Sequence, residues 1–114
     1  MDFSFGGGGV LEGIKRVILD VARRFGLRVE KIIFFGSRFR GDFRGDSDWD
    51  ILIVVDGELD WRVRNDFWVS VRRRIEVPVD IIVVSSGYFE RYRDDVGDIC
   101  YYSVREGTVL WEIT

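Results

Sequence analysis

The sequence predicts an α/β (α+β) domain in which helices pack on a small mixed β-sheet. Three short runs rich in β-branched and aromatic residues, Val29 to Phe35, Trp49 to Val55 and Val79 to Val84, have the length and composition of strands. Two longer stretches repeat apolar residues at three- and four-residue steps, as amphipathic helices do. A chain of 114 residues with 46% hydrophobic content has material for one core and little for a second domain.

The glycine run Gly6-Gly7-Gly8-Gly9 follows no strand and leads into no Gly-Lys-Ser/Thr, so a flexible N-terminal tether over residues 1–9 is expected rather than a P-loop. The folded domain is expected over residues 10–114. Val10, Leu11, Ile14, Val17, Ile18, Val21, Ala22 and Phe25 trace one helical face, which Gly26 can end in a left-handed cap. After the first two strands, Asp60 can cap a helix running to about Glu76, with Trp61, Arg64, Trp68, Val71 and Ile75 on one side. Beyond the third strand, Tyr88 to Arg93 and Asp98 to Arg105 read as short helices. Thr108 to Trp111 reads as a fourth or edge strand.

Chemistry concentrates between the first two strands. Gly36-Ser37 is a tight turn at a strand end, where backbone N–H groups and the Ser37 hydroxyl can donate to phosphate oxygens. Arg38, Arg40 and Arg44 follow, each with a planar fork of donors suited to phosphate. Arg38, nearest the turn, is the favoured phosphate ligand. Asp48 and Asp50 open the second strand, and side chains two apart on a strand share a face, so both can ligate one hard cation. Asp80 enters the third strand, where an ionised carboxylate needs a cation or donors beside it. Alone, Asp80 also fits a salt-bridged structural acid.

If these groups share a site, the strand directions follow. The turn lies after the end of the first strand and the Asp-x-Asp pair at the start of the second, so those two run antiparallel. Asp80 also lies at a strand start, which makes the third strand parallel to the second, with the helix over residues 60–76 as crossover.

The pattern of Gly36-Ser37, ten residues, then Asp48-Trp49-Asp50 resembles the minimal nucleotidyltransferases of the DNA polymerase β-like superfamily, and the resemblance covers nearly the whole chain. It implies the polymerase β-like nucleotidyltransferase fold, with Gly36 and Ser37 on a triphosphate, Asp48 and Asp50 on magnesium, and Asp80 as the third acid; Arg105 to Glu112 is similar to the family's C-terminal element. By this resemblance the chain is a Mg2+-dependent enzyme that moves a nucleoside monophosphate, AMP from ATP, onto a hydroxyl. The resemblance also implies an antitoxin that adenylylates a HEPN ribonuclease toxin within a hetero-oligomer. Two other readings fit: an antitoxin that neutralises its partner by occlusion, and a catalytic subunit acting on a small molecule or an RNA end.

Composition narrows the field. A net charge of −3 and a pI near 5.0 argue against direct nucleic-acid binding, which depends on basic excess. With no histidine and a single cysteine, Cys100, the chain has no Ser-His-Asp triad, no intrachain disulfide and no structural zinc site. No apolar run approaches the roughly 20 residues needed to span a bilayer, and Met1-Asp2-Phe3-Ser4-Phe5 lacks the basic start of a secretory signal, so a cytoplasmic location is expected. Tyr88, Phe89, Tyr92, Tyr101, Tyr102 and Trp111 exceed what so small a core absorbs and suggest a protein interface near the C-terminus.

Overall fold

The computed structural model describes residues 7–113. In chain order they form α1 (Gly7–Arg24), β1 (Val29–Phe35), α2 (Ser37–Arg40), β2 (Trp49–Val55), α3 (Trp61–Arg74), β3 (Val79–Ser85), α4 (Ser86–Tyr92), α5 (Ile99–Arg105) and β4 (Thr108–Glu112). Helix α1 takes in Gly7, Gly8 and Gly9, ahead of the Val10 start given by the apolar periodicity; the remainder of the expected tether lies outside the described residues. At the other end of α1, Gly26 has φ 69° and the Leu27 N–H donates to the Ala22 carbonyl at 2.9 Å, the left-handed stop expected there.

The four strands are ordered β3-β2-β1-β4. β1 pairs antiparallel with β2 and with β4, while β2 and β3 are parallel, joined by α3. This is the mixed sheet that a shared Gly-Ser and Asp-x-Asp site requires. Two register positions matter for function: Phe35 faces Asp50, and Asp50 faces Asp80.

Alternation along the strands divides the core into two layers. Ile32, Phe34, Trp49, Ile51, Ile53, Val79, Ile81 and Val83 pack against Ile14, Ile18 and Val21 of α1 and Phe67 and Val71 of α3. Ile33, Phe35, Leu52, Val54 and Val84 pack on the other face, against Phe89 of α4 and Cys100 of α5. Asp50 and Asp80 share the parity of Leu52, Val54 and Val84, so they belong to the α4/α5 face.

On α3, the buried residues are Phe67 and Val71, each fully enclosed, and each such burial is worth about 1.5–3 kcal/mol. Trp61, expected on the buried side, is 64% exposed. Trp68 is half-buried and its indole N–H donates to the Ile81 carbonyl at 2.8 Å. The side expected to be buried was centred one position away from Phe67, whose ring packs edge-on against Phe25. Asp60 caps the helix, its carboxylate accepting from the Arg62 N–H at 2.7 Å.

Candidate active site

The turn after β1 is built around one glycine. Gly36 has φ 85° and ψ −163°, a conformation essentially confined to glycine, and it is buried. A Cβ at this position would lie 1.9 Å from Asp50 Oδ2 and 2.8 Å from its Cγ. The Gly-Ser turn and the second acid of the Asp-x-Asp pair are therefore in van der Waals contact. Ser37 begins α2, a single turn whose first N–H groups have no intrahelical acceptors.

Asp50 is half-buried, whereas Asp48 and Asp80 are exposed. Burial pushes the Asp50 carboxyl above the usual carboxylate range, the neighbouring charges of Asp80 and Asp48 push it further, and Arg40 pulls the other way. Among the described residues none of the three acids has an ion-pair partner. Nor do three acids converge into a ready-made metal cage there. Their chemistry nonetheless fits magnesium, which takes hard oxygen ligands and is usually held by one or two carboxylates together with substrate phosphates and water. Asp50 with Asp80 beside it in register, and Asp48 close enough to shift its titration, is an open donor set of that kind.

Of the three arginines suited to phosphate, Arg44 is exposed, and Arg38 and Arg40 are placed differently. Arg38 is turned into its own loop: its Nε donates to the Ser47 carbonyl at 2.8 Å and its Nη2 to the Gly45 carbonyl at 3.1 Å. Its guanidinium lies 4.6 Å from the ring centroids of both Phe43 and Trp49. Arg38 thus braces the segment leading to Asp48, whereas Arg40 lines the same cavity as Asp50 and its charge acts on that acid. Arg40 reaches Asp42 at 3.4 Å and Glu106 at 3.6 Å, exposed pairs that cost little to exchange for a phosphate. Trp49 points to the opposite face, buried beside Phe34 with centroids 5.6 Å apart, and so stays clear of the acids.

A cavity of about 420 Å³ joins these groups, lined by Gly36, Ser37, Arg40 and Asp50 on one side and by Ile99, Tyr102 and Glu106 of the α5 segment on the other. The second wall is absent from the sequence-based site. Its signal was the stripe at positions 99, 102 and 106, one face of a helix whose neighbouring face, Cys100 and Ser103, is buried. The stripe becomes meaningful only once α5 is known to cover the face that carries Asp50.

Residues 18–113 match the family model described as polymerase beta, nucleotidyltransferase. The chain belongs to this nucleotidyltransferase family. It is 34% identical, over 80 residues, to a Methanocaldococcus jannaschii protein named "putative protein adenylyltransferase", covering 70% of this chain and 78% of that one. Among solved structures, a "putative nucleotidyltransferase" from Sulfolobus solfataricus superposes with a TM-score of 0.60 at 31% identity, covering 91% of this chain and 81% of that one. A structure described as a tri-AMPylated Shewanella oneidensis HEPN toxin in complex with its MNT antitoxin matches with a TM-score of 0.58 at 20% identity, covering 90% of this chain and 73% of that one, a likeness of fold. The nucleotidyltransferase is an enzyme by family. No helix among its described residues is long and apolar enough to cross a membrane.

Proposed function

We propose that this nucleotidyltransferase moves AMP from magnesium-bound ATP onto a hydroxyl of a partner protein, and that the partner is a HEPN-type toxin which the enzyme neutralises as its antitoxin. The observation that carries the reading is the contact between Gly36 and Asp50, which puts the Gly-Ser turn against the second acid of the Asp-x-Asp pair. The similarity to a protein adenylyltransferase supports AMP as the group and a protein as the acceptor; the fold shared with an MNT antitoxin supports the HEPN partner.

In this reading Gly36, Ser37 and Arg40 hold the triphosphate through backbone N–H, hydroxyl and guanidinium donors, and Arg38 keeps the loop of Asp48 in place. Asp48, Asp50 and Asp80 would hold the magnesium, which supplies charge neutralisation on the phosphates. The acceptor oxygen forms a bond to the α-phosphorus as the bond to the bridging oxygen breaks and pyrophosphate leaves. Asp80, the more exposed of the two register-paired acids, accepts the proton of the attacking hydroxyl. ATP as donor and a single unpaired cysteine both suit the cytoplasm.

Titration calorimetry tests the site. Magnesium should strengthen ATP binding to the native chain, because the phosphates complete the metal's ligands, and the Asp48→Asn, Asp50→Asn double variant should lose that strengthening. An unchanged magnesium effect in the double variant removes these acids from the metal.

A further inference from the structure

We infer that the α5 wall of the cavity is a nucleobase platform, with the Tyr102 ring as its stacking surface and Ile99 beside it. This rests on the proposed ATP site. The cavity has two chemically different sides. Ser37, Arg40, Asp50 and the Gly36 backbone meet the needs of phosphate and metal; of the remaining lining residues Phe35 is apolar, Glu106 pairs with Arg40, and Ile99 and Tyr102 offer an apolar ledge with a flat ring. A nucleotide has the same division, and about 420 Å³ falls in the range of small-molecule sites.

The ledge is rigid where it should be rigid and open where it should be open. Cys100 and Ser103 are fully buried on the inner side of α5, with the Ser103 hydroxyl donating to the Cys100 carbonyl at 2.8 Å. The Asp98 carboxylate caps the helix by accepting from the Cys100 N–H at 2.9 Å. At the far end Gly107 allows close approach to β1: a Cβ there would stand 2.7 Å from the Phe34 carbonyl and 2.9 Å from the Phe35 Cβ. That contact seats the end of α5 beside the strand that leads into Gly36. Arg40 and Glu106, 3.6 Å apart, bridge the two sides. Against this fixed backbone the Tyr102 side chain is 42% exposed, and its hydroxyl makes no hydrogen bond among the described residues. The ring meets Tyr101 in a T-shaped contact, centroids 5.5 Å apart, and its exposed part lines the cavity, placed for stacking, which every base accepts through its π-face.

The test compares magnesium-ATP with magnesium-tripolyphosphate, which keeps the phosphates and lacks the base, in calorimetric titrations of the full chain. Tyr102→Ala should weaken ATP binding about tenfold to a hundredfold, the range of base–aromatic stacking, and leave tripolyphosphate binding unchanged. Tyr102→Phe should bind ATP like the native chain, since the ring remains. The platform is overturned if Tyr102→Ala weakens both ligands equally or neither, or if Tyr102→Phe loses as much as Tyr102→Ala. Native protein that binds tripolyphosphate as tightly as ATP also overturns it while leaving the phosphate and metal site standing; native protein that binds neither ligand overturns both.

Discussion

Replacing Gly36 by alanine should cost stability through two separable terms. The backbone at φ 85° and ψ −163° costs a residue with a Cβ about 1–3 kcal/mol. The added Cβ also lands 1.9 Å from Asp50 Oδ2, so the carboxylate must rotate away or the turn must shift. For a domain of about this size each kcal/mol moves the melting temperature by roughly 4–8 °C, so the backbone share alone should lower the melting temperature of Gly36→Ala by about 4–24 °C, with the overlap at Asp50 adding to it, read by circular dichroism. A double-mutant cycle separates the terms. In an Asp50→Ala background the overlapping Oδ2 and Cγ are gone and only the Cβ at 3.1 Å remains, so the penalty of Gly36→Ala should shrink to the backbone share. The same substitution should abolish magnesium-strengthened ATP binding, because it displaces the turn and the acid together. A Gly36→Ala protein that melts and binds like the native one would refute the contact, and an equal penalty in both backgrounds would leave backbone strain alone as the cause.

Two further outcomes follow from the same geometry. Burial and the charges of Asp80 and Asp48 raise the Asp50 carboxyl above 3.8, so its ionised form opposes folding at neutral pH and the cost is relieved as pH falls through the raised value. Without divalent cations, Asp50→Asn should therefore melt higher than the native chain at pH 7, with the difference closing well below pH 3.8, where folded and unfolded states are both protonated; a lower melting temperature at pH 7 would contradict this. Arg38 and Arg40 should divide by phenotype: Arg38→Ala should open residues 41–48 to proteolysis and slacken ATP binding as a consequence, whereas Arg40→Ala should keep native proteolytic resistance and lose affinity for tripolyphosphate directly. Limited proteolysis beside calorimetry checks the pair, and the reverse assignment of phenotypes would restore Arg38 to the phosphate.

The strands were legible in the sequence because the apolar runs Ile32 to Phe35, Ile51 to Val55 and Ile81 to Val84 are short and unbroken, the first ending at Gly36 and the other two opening after Asp50 and Asp80. Their directions were legible because one shared site leaves a single arrangement for Ser37, Asp50 and Asp80. Less legible were features set by packing between elements. The burial of Phe67 over Trp61 depends on how α3 rolls across β3, and several wheel positions on that helix carry apolar residues. The loop-bracing contacts of Arg38 were not legible because its partners are loop carbonyls and two rings, and an arginine beside a Gly-Ser turn looks the same in sequence whichever way it points. The Tyr102 wall required knowing that α5 covers the face carrying Asp50, a consequence of the close approach at Gly107.

Transfer of label from ATP to a protein acceptor tests the central claim most directly. The native chain, magnesium and a HEPN partner would be incubated with ATP labelled at either the α- or the γ-phosphate, and the partner isolated under denaturing conditions. Nucleotidyl transfer predicts label from the α-position alone, released pyrophosphate, a partner heavier by whole adenylyl groups on hydroxyl side chains, and loss of all three with the Asp48→Asn, Asp50→Asn variant. Label from the γ-position would make the reaction phosphoryl transfer instead, and an unlabelled partner that the native chain nevertheless inactivates would make this protein an occluding binder.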